Sequence, residues 1–335
     1  MLIDPTKLGR RPLALALLGA AAAAARPVRA AEAFPDRTIT ITVPFAPAGA
    51  TDLAGRLLAD RMGPALGPQA RLVVENKPGA GSALGAEYVR RSRPDGYTLL
   101  VGSASTLGVA PAAQPKIAPY DPAEDFTPVA VIGTSALGLV VPTASGITSV
   151  EQLIAKLREE KGQDGYASSG VGGIGHLAAS LFSKLAEAPA THIPYRGGAS
   201  VPEALIKQEV LFTIDQIASV VGQIRDGMLR LLAVTTTTRD RNFPDVPTLQ
   251  EAGVPGYELS TWTVMVGPKG MPAEVTTALN RAANTALKDE AVRKRLLDSG
   301  TDPRDDSTPE STRAFLAAEA ARFKAAVEIA GMRMD

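Results

Sequence analysis

The sequence predicts an α/β protein built as two lobes joined by a hinge of two crossing strands. Three observations lead there. The chain has 335 residues, room for about two domains at about 150 residues each. A unit of strand, glycine-rich loop and helix recurs along it, the pattern of parallel sheets covered on both faces with ligands at the carboxyl ends of the strands. Two further strands fall where the chain would leave the first lobe, near Ala136, and return to it, near Leu259. On this reading the first lobe is discontinuous, 31–136 plus 259–335, and the second lobe is 137–258.

The elements follow in order. Lys7, Arg10 and Arg11 precede an apolar run from Leu13 to Ala25, and Val28, Arg29 and Ala30 then offer small residues to a signal peptidase. The run is too short to span a membrane, so 1–30 reads as a signal peptide. The adjacent arginines leave twin-arginine and general secretory export both open. Ile39, Ile41 and Val43 alternate with threonines as a strand, and Pro47, Gly49 and Ala50 form a loop. Thr51 or Asp52 then caps a helix carrying Leu53, Leu57 and Leu58. Leu72 to Glu75 lead through Pro78, Gly79 and Gly81 into a helix ending at Tyr88; Tyr97 to Val101 is the next strand. Strands are expected at Val129 to Ile132 and Leu137 to Val141, followed by a helix with Ser149 and Gln152 as capping box. Gly165 to Ser168 lead through Gly170, Gly172, Gly173 and Gly175 into a helix from Leu177 to Leu185. Thr191 to Tyr195 lead through Gly197 and Gly198 into a helix near Pro202 to Lys207. Val210 to Ile214 and Leu231 to Thr235 fit strands, Tyr257 to Val266 a long returning strand, and everything from Pro272 onward helices. In those helices Leu279, Leu287, Leu296, Phe315, Leu316 and Phe323 are the expected buried positions.

Composition removes several kinds of function. Cysteine is absent and histidine occurs twice, which excludes disulfide staples, thiolate metal sites, Cys nucleophiles and most His-based acid–base schemes. The 35 basic residues balance 35 acidic ones, so no electrostatic footprint for nucleic acid or anionic lipid exists. Removing 1–30 takes away five cations (Lys7, Arg10, Arg11, Arg26, Arg29) and Asp4, leaving 30 against 34, a net charge of −4. No other apolar stretch is long enough to span a membrane, so the mature protein is expected to be soluble and periplasmic.

The loops carry the chemistry. Gly170, Gly172 and Gly175 satisfy G-x-G-x-x-G between a strand and a helix, the context of a dinucleotide fingerprint. The acidic residue due about 20 positions later is missing. That strand ends instead at Pro194, Tyr195 and Arg196, where Arg196 suits a 2′-phosphate, so an NADP-dependent oxidoreductase is the alternative reading. A second use of such a loop is to let a small anion approach backbone N–H groups at a helix start, where the dipole favours negative charge. Ala48 to Asp52, the hydroxyls of Ser103, Ser105 and Thr106, and Ser168 with Ser169 lie at other strand ends and offer neutral donors for a carboxylate. No G-x-S-x-G elbow, H-E-x-x-H or P-loop lysine is present, and no catalytic residue or metal ligand is assigned. Asp52 and Asp215 are more simply helix caps or dipole partners than an acid–base pair. His176 reads as a helix-start residue that caps or touches ligand, His192 as a packed strand residue, and Trp262 as hinge or core packing.

Seven ordered segments resemble one family, the periplasmic substrate-binding proteins of tripartite tricarboxylate transporters, or Bug receptors. They are Ile41 to Asp52 (ITVPFAPAGATD), Leu72 to Gly85 (LVVENKPGAGSALG), Pro94 to Gly102 (PDGYTLLVG), Tyr120 to Pro128 (YDPAEDFTP), His192 to Ala199 (HIPYRGGA), Leu232 to Thr235 (LAVT) and Pro244 to Gly256 (PDVPTLQEAGVPG). The resemblance implies a clam-shell periplasmic-binding-protein architecture that closes on a small organic acid, without a cofactor and without reaction chemistry. It implies ligand contacts from Phe45, Ala48, Gly49, Ala50, Thr51 and Asp52 on one side. On the other it implies Ser168, Ser169, His176, Asp215 and Gln216, with Ser103 and Thr106 beside them. It further implies delivery to a two-subunit membrane permease, or service to a sensor kinase, and we expect a monomer. Ala48 and Ala50 add methyl groups where the family's first loop is richer in glycine, and Gln216 stands where Asn is common. Gly173, Ile174 and Gly175 replace a more polar run, so the far end of the ligand does not follow from the resemblance.

Overall fold

A computed structural model describes residues 34–195 and 200–334. The export segment 1–30 and Arg196, Gly197 and Gly198 lie outside the described residues. The first lobe opens with β1 (Ile39–Val43), paired in parallel with β2 (Leu72–Asn76) and β3 (Thr98–Ser103). Ile39, Ile41 and Val43 are fully buried, each contributing about 1.5–3 kcal/mol of apolar transfer. Helices α1 (Ala50–Leu66) and α2 (Ala83–Arg90) make the crossovers. Beyond β3 a π-helical segment, Ser105–Val109, runs into the short α3 (Ala110–Ala113).

The hinge differs in form from the sequence expectation. The two short strands expected at 129–132 and 137–141 are one 17-residue strand, β4 (Phe126–Pro142). Between them stand Gly133, Thr134, Ser135 and Ala136, which contain no proline and no turn pair to break the strand. The N-terminal half of β4 pairs antiparallel with β9 (Ser260–Pro268), as far as Ala136 against Ser260. From Leu137 it pairs with β7 (Phe212–Gln216) and β8 (Leu229–Val234). One strand therefore belongs to both sheets. The sheets are mixed, because the crossing strands run against the parallel βαβ strands. Gly133 marks where β10 (Asp302–Pro303) docks: a methyl there would lie 2.7 Å from the Asp302 carbonyl oxygen.

The second sheet continues through β5 (Gly165–Ser168) and β6 (Thr191–Pro194), parallel to each other. Around it lie α4 (Val150–Glu160), α5 (Ile174–Leu185), α6 (Ser200–Ile206) and α7 (Val221–Arg225). Ser149 accepts the Gln152 N–H as a capping box requires, but the Gln152 side chain reaches back to Thr148 N–H instead of to the cap residue. The returning strand begins at Ser260, later than Tyr257, because Tyr257 turns into the core and donates its hydroxyl to the Ala178 carbonyl.

The C-terminal helices are α8 (Ala273–Lys288), α9 (Glu290–Asp298) and α10 (Pro309–Ala330). Leu279, Leu287, Leu296, Leu316 and Phe323 are buried as expected, and Phe315 is partly buried against the same core. Helix α10 packs on both the π-helical segment and α5, so one hydrophobic cluster runs from Leu107 and Val109 through Phe323 to Leu177 and Phe182. Trp262 on β9 is buried and donates its indole N–H to Glu319 on α10 at 2.8 Å. No helix among the described residues is long and apolar enough to cross a membrane.

Candidate functional site

The carboxyl ends of β1 and β3 from one lobe and of β5 and β7 from the other meet at the level where β4 changes sheet. Helix α1 starts at one of these ends and α5 at another. Their N-cap residues are Gly49 and Gly173, and neither supplies a side-chain cap. The helices α4, α9 and α10 are capped by Ser149, Asp289 and Thr308. The two long helices that point at the junction therefore have no side-chain cap of their own, as is also true of α2 and α8. First-turn amides without a partner are donors in the helix-dipole field.

In the first loop Asp52 is the third residue of α1, inside the helix rather than before it. Its Oδ2 accepts the Ala48 N–H at 3.0 Å and the Arg56 Nε–H at 2.9 Å. Its Oδ1 accepts Arg56 at 3.0 Å and Asn76 Nδ2 at 2.8 Å. Burial alone would raise its pKa; the bonds from Arg56, Asn76 and Ala48 outweigh it and hold the carboxyl below the usual range. With its charge balanced by Arg56 and its lone pairs filled, Asp52 ties the loop together and does not meet an anion as a bare carboxylate. Phe45 is fixed from behind, its carbonyl accepting Asn76 Nδ2 at 3.0 Å. Ala48 holds φ 75°, a left-handed conformation that strains any residue with a Cβ. Gly49 faces open space, and Thr51, a buried residue, makes no hydrogen bond through its hydroxyl among the described residues.

At the end of β3 the hydroxyls divide. Thr106 is fully buried and its Oγ1 faces the Ser103 N–H, at 3.5 Å, so it closes its own turn. Ser103 is also buried, and its hydroxyl has no partner among the described residues. Ser105, on the π-helical segment, crosses to the other lobe and accepts the Ile174 N–H at 3.1 Å. The first amide of α5 is therefore capped from the opposite lobe. The sequence offered Ser105 as one of three hydroxyls; nothing local distinguished it, because the π turn that rotates it outward is set by packing of the segment on α10.

In the facing loop Ser168 uses its hydroxyl within the loop. It donates to the Gly170 carbonyl at 3.0 Å, accepts the Gly170 N–H at 3.3 Å, and lies 2.7 Å from His192 Nε2. Ser169 is half-buried. His176 Nδ1 accepts the Gly172 N–H at 3.2 Å. Its ring stacks on His192 with centroids 3.7 Å apart. Burial, and then the neighbouring His192, push the His176 pKa down to about 4, so the pair is neutral at neutral pH. Asp215 is buried beside the α5 start, within reach of a methyl added at Gly175, and accepts the Gln216 N–H at 2.8 Å. Burial pushes it up to about 6 against that bond. Gln216 follows it at the lip of β7, half-buried. The junction so built holds hydroxyls, backbone amides and a carboxyl that protonates readily, and its guanidinium is already paired.

Gly170, Gly172 and Gly175 do form a strand–loop–helix turn, with Gly172 at φ 76°. The side chain of Gln114 fills the approach to Gly172, where a pyrophosphate would have to lie. A separate cavity of about 500 Å³ opens on another side of the hinge, lined by Ser135, Thr237, Arg241, Ser260 and Asp302 among others. None of the junction residues named above lines it. Four of its charged groups are ion-paired: Arg241 with Asp302, Arg239 with Glu251, and Glu258 with Arg322.

Comparison with known proteins agrees with this architecture. Residues 54–332 match the family described as "Tripartite tricarboxylate transporter family receptor". The chain is 36% identical to the protein BugT of Bordetella pertussis, over 96% of this chain and 98% of that one. Its fold is similar to that of Rpa4515 of Rhodopseudomonas palustris, solved with adipate (33% identity, TM-score 0.81, 89% of this chain and 98% of that one). It is also similar to MatC of the same organism, solved with bound malate (32% identity, TM-score 0.80, 88% and 100%). The fold is that of a two-lobed periplasmic binding protein. The chain belongs to the tripartite tricarboxylate transporter receptor family, among the Bug proteins.

Proposed function

We propose that this protein is a periplasmic receptor that captures a small organic carboxylate between its lobes for a tripartite tricarboxylate-type transporter. The observation that carries the reading is the pair of helix starts, α1 at Gly49 and α5 at Gly173, that meet at the junction without side-chain caps of their own. Each helix start is worth about 0.3–2 kcal/mol to an anion, and micromolar affinity requires about 8 kcal/mol, so several donors must converge. The amides of Gly49 to Thr51, the hydroxyls of Thr51 and Ser103, and the facing amides near His176 are the donors we assign. Ser169, Asp215 and Gln216 line the facing wall, Phe45 the near one, and Asp52, Thr106 and Ser168 hold the loops in shape. The ligands of Rpa4515 and MatC, adipate and malate, support an acid with more than one oxygen function.

We place the lobe boundaries at 136/137 and 258/259, the signal peptide at 1–30 and the mature protein in the periplasm as a monomer. It binds without turnover, and its partner is a two-subunit permease. Calorimetric titration with malate, succinate and adipate tests the reading, with the corresponding diols as neutral controls. Binding of the acids and silence of the diols is the expected result. Turnover of any acid, or heat only on adding NADP, would overturn it. The mass of the protein recovered from a periplasmic extract reads the cleavage site directly.

A further inference from the structure

We propose that Gln114 is a specificity-determining residue of the cleft, its carboxamide reading a second oxygen-bearing group on the bound acid. This rests on the carboxylate-receptor reading and deepens it. Gln114 ends α3, just beyond the π-helical segment that carries Ser105. It is 8% exposed, and its carboxamide has no hydrogen-bond partner among the described residues. Neither carboxamide atom is among the polar atoms sealed without a partner, so the group is left open to water or to a ligand.

Its position favours a ligand. The carboxamide is wedged between the lobes: a methyl added to Gly172 would come within 1.8 Å of Gln114 Nε2, and one added to Gly81 would lie 3.9 Å from that nitrogen and 4.0 Å from Oε1. Gly172 stands two residues before Ile174, the first residue of α5. The Ile174 amide is taken by Ser105, and the Leu177 amide makes the first intrahelical bond, to the Gly173 carbonyl. Between them the Gly175 and His176 amides remain for a ligand, with the unpartnered carboxamide next to their loop. A carboxylate suits the charged end of the helix. A neutral carboxamide adds no charge, but it offers both donors and an acceptor to a hydroxyl or a second carboxylate. An acid with a plain alkyl tail leaves Gln114 unsatisfied when the lobes close. One with a second oxygen function satisfies it, and a hydrogen bond to a charged group is worth roughly tenfold to a hundredfold in affinity.

Selectivity tests this. The affinities of the wild type, Gln114→Leu and Gln114→Glu for malate and for butyrate are measured by calorimetry on the same preparations. A loss of folded fraction cancels in the malate-to-butyrate ratio, and a merely structural role leaves that ratio fixed. Gln114→Leu should lower the ratio at least about tenfold, with butyrate affinity little changed. Gln114→Glu, nearly isosteric, should lower it further by charge repulsion of the second carboxylate. Wild type that binds malate, with a ratio unchanged in both variants, overturns the assignment of Gln114 alone. Wild type that binds neither malate, succinate nor adipate overturns the carboxylate reading and the assignment with it.

Discussion

Asp215→Asn should make the protein relatively more stable as pH rises. Asp215 is buried at the end of β7, and burial lifts its pKa from 3.8 to about 6. The folded protein therefore holds a proton that the unfolded chain has released, between those two values. In that window folding binds protons, so stability is full below the unfolded pKa and falls as pH rises through the folded one. At about 1.4 kcal/mol per pKa unit the full loss is about 3 kcal/mol, of which about 2 to 3 falls between pH 4 and 7.5. The asparagine keeps an oxygen to accept the Gln216 N–H and removes the titration. His176 acts in the opposite sense. Its pKa falls from 6.5 to about 4, so its neutral folded form makes stability rise over an overlapping window. The ring is partly exposed, and solvent screening cuts its contribution to about 1 to 2 kcal/mol. Wild-type stability is thus flattened by two opposed groups, and the difference between variant and wild type isolates one of them. Urea unfolding of both proteins at pH 4, 5, 6 and 7.5 measures it. A variant-minus-wild-type difference that stays constant within about 0.5 kcal/mol across that range would refute the argument, because a buried carboxyl that titrates near 6 cannot be silent there.

Ala48→Gly removes the Cβ from a left-handed position and should stabilise the fold by about 0.5–1 kcal/mol after the added chain entropy is counted, read as a higher urea midpoint. Arg56→Ala strips two hydrogen bonds from the buried Asp52 carboxylate and leaves those from Ala48 and Asn76. It should lower the urea midpoint and weaken acid binding through a loosened first loop, whereas Arg56→Lys should recover part of both losses. Ser105→Ala leaves the Ile174 N–H without its cross-lobe acceptor. The closed form should weaken by about 1 kcal/mol, seen as a larger small-angle scattering radius without ligand and an unchanged one at saturation.

The βαβ units were legible because each is local: alternating β-branched residues, then glycine and proline, then a helical stripe from Leu53 to Leu58 or Leu177 to Leu185. The hinge was legible only in part. Ala136 and Leu259 were placed at the crossings from the order of strands, but the single long β4 depends on pairing with β9 and β7, more than 70 residues away in sequence, and no local signal records a partner that distant. Side-chain roles at the junction were least legible, for the same physical reason. Thr106 and Ser105 are adjacent residues with the same hydroxyl chemistry, yet one is turned into its own loop and the other across the lobes. His176 and His192 are 16 positions apart and were read as a helix-start residue and a strand residue; the parallel pairing of β5 with β6 stacks their rings. Gln114 left no trace, since a glutamine after three alanine-rich positions reads as a helix end. It matters only because Gly172, left-handed and without a Cβ, lets the opposite lobe settle against it. A methyl at Gly172 would have to displace that carboxamide, so the glycine that looked like half of a nucleotide fingerprint is, in this fold, the space in which one lobe meets the other.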